Sequence, residues 1–203
     1  MKNYYRLMLG KASVHAEDCF SGGFVGTDFD LGVDLQGKLP DEWREFNKEY
    51  IPVLLEREPG KSRVSAGLAC GAIWTVSKGM VVGDVILCPD GEGRYRVGEI
   101  SGDYYFAPGE ILHHRRSVNW SDKFILRSDM SEQLRNSAGS IGTVSNITKY
   151  HEEISSFIEG DTGAQLSTSD PTIEDASEFA MESHLEDFLI ANWSQTELGQ
   201  EFN

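Results

Sequence analysis

The stretch Val82–Trp120, VGDVILCPDGEGRYRVGEISGDYYFAPGEILHHRRSVNW, constrains the fold more than any other part of the chain. It opens with a Gly-Asp pair and a short apolar run, Val85–Cys88. A Pro-Asp-Gly turn follows at Pro89–Gly91. Arg94–Ile100 then alternates, with Tyr95 and Val97 on one face and Arg94 and Arg96 on the other. Period-two alternation between turn residues predicts antiparallel strands. A second Gly-Asp turn, Gly102-Asp103, is expected to deliver Tyr104, Tyr105 and Phe106. His113–Arg116, Val118 and Trp120 close the segment. Aromatics at a turn beside a basic strand suit a flat ring held near a phosphate backbone.

The flanks supply helices and short strands. Tyr4–Leu9 reads as a first strand, and Phe24-Val25 as part of a second. Gly32–Lys38 reads as a loop. Pro40-Asp41-Glu42 looks like a helix start. Trp43, Phe46, Tyr50 and Leu54 recur at helical spacing, with Pro52 expected to kink or split the helix. Ser62–Ser77 is a second helix, with Val64, Leu68, Ile73 and Val76 as its apolar stripe and Gly79 as its stop. Phe124–Leu126 reads as a strand, and Ser128 or Asp129 as the cap of a helix to Asn136. Val144–Ile147 reads as a last strand, and Tyr150–Ile158 as a closing helix.

Charge separates the chain into parts. The formal net charge is −15, unusual for a nucleic-acid binder. Residues 151–203 hold 13 acidic residues and no Lys or Arg, which leaves 20 acidic against 18 basic in residues 1–150. The body is therefore near neutral, and the acidity belongs to the tail. Residues 159–177 read as an acidic linker. Glu178–Trp193 reads as an amphipathic helix with Met181, Leu185, Phe188 and Leu189 on one face. Cys19, Cys70 and Cys88 are widely spaced and odd in number, which favours free thiols in a reducing, cytoplasmic setting. The sequence contains no apolar run long enough for a membrane span.

Several motifs lose their chemistry on inspection. His113 and His114 are strand neighbours and point to opposite faces, so they do not share a metal ion. GEGRYRVG has the wrong glycine spacing for a dinucleotide loop, and a strand follows it. None of the eight lysines has an acidic residue two positions before it, so no complete carboxylate–lysine nuclease site is present.

The sequences GDVILCP, RYRVGEISGDYYF and HHRRSVNW, in that order, resemble the EVE domains, members of the PUA-like group that includes the YTH readers. The run FILRSDMSEQLRNSAGSIGTVSNI resembles the segment that follows in restriction-associated versions. The likeness covers about residues 3–158. MESHLEDFLIANWSQTELGQEF resembles the opening helix of NucS- and Mrr-like restriction nucleases of the PD-(D/E)XK class.

The resemblance implies an α+β fold: a PUA-like curled β-barrel flanked by helices, followed by the linker and an isolated helix. Residues 1–158 would form the modified-base-reading domain, and 178–203 the first helix of a truncated nuclease domain. The base, flipped from double-stranded DNA, would enter a pocket of Trp74, Asp103, Tyr104, Tyr105 and Trp120. His114, Arg115 and Arg116 would meet phosphate. Glu182 would match the first metal-side carboxylate of the nuclease. Mg²⁺ is implied only for a complete nuclease domain; the present chain is expected to carry no cofactor and to be inactive alone. Restriction nucleases often act as dimers, so a homodimer is a possible state by analogy; the sequence itself does not decide it. An RNA-binding PUA-like module and a nucleotide-sensing regulatory domain are the rival readings. The insertion around Gly32–Ile51 departs from the family pattern.

Overall fold

A computed structural model describes residues 2–140 and 142–160. The expected helix Glu178–Trp193, with Glu182, and the expected linker beyond residue 160 lie outside the described residues; Glu159, the first residue of that linker, instead ends the last helix. Residues 1–162 form one compact unit.

The order of elements is β1 (Tyr4–Leu7), α1 (Ala16–Gly22), β2 (Phe24–Thr27), α2 (Trp43–Arg57), α3 (Arg63–Trp74), β3 (Val85–Pro89), β4 (Arg94–Phe106), β5 (His114–Leu126), α4 (Glu132–Ala138), β6 (Val144–Asn146) and α5 (His151–Glu159). The strands make one six-stranded sheet in the order β2-β5-β4-β3-β1-β6. Every pairing is antiparallel except β1 with β3, where Tyr5 lies opposite Ile86. The molecule is thus a mixed α/β domain. The expected barrel does not close among the described residues: β2 and β6 remain the edges of an open sheet.

Two strands are longer than their sequence suggests, and this reshapes the centre. β4 runs 13 residues through Gly102-Asp103, which is not a turn. The pairing with β5 shifts register between Ile100 and Tyr104, so the extra residues are absorbed as a bulge. The chain reverses later, in residues 107–113. β5 likewise continues from His114 to Leu126 and takes in the run expected as a separate strand. Trp120 pairs with Gly98, where a Cβ would lie 2.7 Å from the Trp120 ring; only glycine lets the indole lie against the strand.

The helices pack on both sides of this sheet. α1 covers a core built from Leu7, Val25, Ile86, Ile100 and Val118. α4 and α5 cover the opposite core, with Tyr95, Ile125, Leu134 and Ile154. Ser131, not Ser128 or Asp129, caps α4: its Oγ accepts from Leu134 N at 3.2 Å.

A third core joins α2 and α3 with Leu31 and Leu35. α2 is one uninterrupted helix through Pro52. Pro52 and Lys48 are both exposed, so water can take the carbonyl that the missing N–H leaves behind. α3 starts at the Ser62 cap and ends in a π-helical turn, Thr75–Gly79. Its expected stripe is only half right. Val64 and Leu68 are 42% and 50% exposed, while Ala66, Ala69, Cys70 and Ile73 face inward. Small residues are what let α3 approach α2 closely.

Candidate functional site

The basic strand is turned inward in this fold rather than laid open to solvent. His114, Arg115 and Arg116 are all buried. Arg116 Nε donates to Val76 O at 2.6 Å, Nη2 to Ser77 O at 3.0 Å and Nη1 to Gly102 O at 3.2 Å. It therefore ties the π-helical turn after α3 to the bulge in β4. Arg115 Nε donates to Leu112 O at 3.0 Å, and its guanidinium lies 3.9 Å from the centre of the Phe24 ring. It braces the loop between β4 and β5. The bonds that Nε and Nη2 of Arg115 and all three nitrogens of Arg116 make to main-chain carbonyls hold both side chains inside the fold.

The five-residue cup also does not form. Trp120 packs edge-on against Phe20, and its Nε1 donates to Cys19 O at 2.9 Å, under α1. Tyr105 lies opposite Arg115, so it faces away from its neighbour Tyr104 and is 37% exposed. Asp103 is exposed on the bulge. Strand alternation alone separates Tyr104 from Tyr105. What the fold does bring onto one core is Trp74, from the end of α3, and Tyr104, from β4.

Around Tyr104 the chemistry is denser than the sequence suggested. Its hydroxyl stands 3.0 Å from His114 Nδ1, accepts from Leu35 N at 3.2 Å and lies 3.4 Å from Asp34 Oδ1. The Tyr104 and His114 rings stack at 5.9 Å, and Phe106 flanks His114 at 5.3 Å. Burial pushes the Tyr104 hydroxyl up to about 12. Burial, reinforced by His113, pulls His114 down to about 4, so its imidazole is neutral at pH 7. Thr27, the last residue of β2, lies directly opposite His114 and is fully buried.

Residues 28–42 pass over this group as an irregular strap. Trp74 Nε1 donates to Pro40 O at 3.1 Å, and Lys78 Nζ to Leu39 O at 3.3 Å. At the start of the strap a cleft of about 570 Å³ is lined by Asp28, Phe29, Asp30, Arg57, Glu58 and Lys61. Arg57 pairs with Asp30 at 2.5 Å and Lys61 with Glu58 at 3.1 Å. Lys61 also sits 5.0 Å from the centre of the Phe29 ring. The cations here are balanced by acids, so the cleft is not a field for a bare anion.

Thr27, Asp34 and the cleft residues were not among the expected site residues. The one sequence signal was the insertion around Gly32–Ile51, which adds the strap and α2 together. The expected metal-side carboxylate Glu182, and with it any ligand set for Mg²⁺, lies outside the described residues.

The fold and this site define a mixed α/β domain in which aromatic rings and buried polar groups converge beneath a strap. The chain belongs to the family described as Domain of unknown function (DUF8426), whose model matches residues 5–148. No curated protein matches the chain. Among the described residues, no helix is long and apolar enough to cross a membrane.

Proposed function

We propose that the folded unit is a DNA-binding specificity domain of PUA-like (EVE) type, serving a modification-dependent restriction system. It would recognise a methylated or otherwise modified cytosine or adenine, extruded from duplex DNA. The cut would belong to a nuclease domain of the PD-(D/E)XK class beginning near Glu182.

The observation that carries the reading is the order GDVILCP, RYRVGEISGDYYF, HHRRSVNW, combined with what that segment builds. Its Tyr104 lies on the same core as Trp74, and its His114 adds a neutral hydrogen-bonding edge. A base held this way gains stacking of about 1–3 kcal/mol per ring. Extrusion from the duplex costs a few kcal/mol. Selectivity then rests on the polar groups rather than on stacking alone.

Titration of the chain with matched duplexes, plain and carrying a single modified cytosine or adenine, tests the proposal. Tighter binding of one modified duplex is the expected result. Equal affinity for all duplexes, or no binding at low salt, contradicts it. RNA and free nucleotides belong in the same experiment, because preference for either would favour a different class of ligand.

A further inference from the structure

Thr27 and His114 form a cross-strand pair with both side chains on one face of the sheet, and both are fully buried. Thr27 Oγ1 and His114 Nε2 have no hydrogen-bond partner in the protein. A buried polar atom left so has lost its water without gaining a partner, which destabilises the fold. Valine would fill the position of Thr27 without that cost. His114 spends its other nitrogen, Nδ1, on the Tyr104 hydroxyl, which leaves Nε2 as the free edge of the ring.

The strap seals this pair in. Its own Leu31 and Leu35 point inward and are buried. Arg57 holds Asp30 by Nε to the carbonyl at 2.9 Å, and Tyr104 holds Leu35 at 3.2 Å. The cleft at the start of the strap opens at Asp28, the residue next to Thr27.

We propose that Thr27 and His114 are the recognition pair of a niche for a planar hydrogen-bonding heterocycle, with Tyr104 as a stacking wall and residues 28–42 as the lid. The tautomer follows the Tyr104 proton. Given to Asp34, it leaves Nδ1 protonated and Nε2 an acceptor; given to Nδ1, it makes Nε2 a donor. The threonine hydroxyl supplies the complementary role in either case. The pair therefore suits a ring edge carrying one donor beside one acceptor, as nucleobases do. Entry requires Leu35 to leave the Tyr104 hydroxyl, so that hydrogen bond is the latch.

The inference deepens the base-reading proposal, and its test separates the two. The full chain, with Thr27→Val and Thr27→Ser variants, is titrated against duplexes with and without 5-methylcytosine and N6-methyladenine. The same proteins are examined by ligand-observed NMR with the four free bases cytosine, 5-methylcytosine, adenine and N6-methyladenine. Thr27→Val is expected to keep or raise Tm, because it removes a hydroxyl without a partner. It is expected to weaken binding at least tenfold, and Thr27→Ser to restore it.

Duplex binding that ignores Thr27→Val overturns the niche and leaves the base-reading proposal standing. Thr27-dependent binding of free bases without duplex binding supports the niche and removes the DNA reading. Binding of neither probe overturns both. A large loss of Tm in Thr27→Val also overturns the niche, because the hydroxyl would then be serving the protein. Tyr104→Phe keeps the ring and frees the latch; faster exchange of the bound base is expected, and unchanged exchange contradicts the lid.

Discussion

His114 is neutral because the protein around it gives a charge nowhere to go. Its folded value, about 4, lies below the ordinary 6.5. The unfolded chain therefore binds a proton first as the pH falls. Stability is full above 6.5, declines from there, and has lost on the order of 3 kcal/mol by pH 4. Asp30 and Asp90 act in a different window: burial raises them, but hydrogen bonds from Gly32 and Arg57, and from Glu92 and Arg94, more than offset it. Their contribution is lost only as the pH falls through and below the ordinary carboxylate value. Urea midpoints at pH 7, 5.5 and 4.5 should fall in order, and His114→Gln should flatten the series. Arg116 gives a second residue-level prediction. Arg116→Met strands three main-chain carbonyls, so it should cost roughly 2–4 kcal/mol in urea denaturation. Measured on folded protein at low temperature, it should leave the salt dependence of DNA binding unchanged, since its guanidinium faces Val76, Ser77 and Gly102 rather than solvent.

Elements follow local chemistry where that chemistry is unopposed. Ser131 caps α4 and is itself held by Glu153, whose carboxylate accepts from Ser131 N at 2.7 Å and Oγ at 2.8 Å. Ser131→Ala should cost about 1–2 kcal/mol in a denaturant titration. Pro52→Ala should stabilise α2 by roughly 1–3 kcal/mol, because it restores a donor inside an otherwise regular helix. The strands β1 to β3 were legible because apolar runs met glycine and proline at their ends. The bulge in β4 was not. Gly102-Asp103 carries the composition of a turn, and only pairing with β5 decides that the strand continues. That choice sets which aromatic neighbours share a face, so the site could not be assembled from spacing alone. The burial of Arg115 and Arg116 was hidden for a related reason. A basic strand reads as solvent-facing until the carbonyls that consume its donors, 3 to 40 residues away, are in place.

At the scale of the whole molecule, the open six-stranded sheet carries three cores among the described residues, and the strap is tied down over the end of α3 by Trp74 and Lys78. The sequence predicts no nuclease activity for this chain, since none of its lysines stands two positions after an acid. Incubation with plasmid and Mg²⁺ or Mn²⁺ should leave the DNA intact, as read by loss of supercoil on a gel; efficient cutting would overturn that expectation. The proposed reading of DNA turns on one event, the departure of a base from its stack. 2-Aminopurine placed next to the modified base, and paired with thymine, loses a stacking neighbour when that base leaves and reports the event as a rise in fluorescence. A saturable rise on adding the chain, weakened in Thr27→Val and absent with the unmodified duplex, is the predicted result. Tight binding to the modified duplex with no change in fluorescence would contradict it.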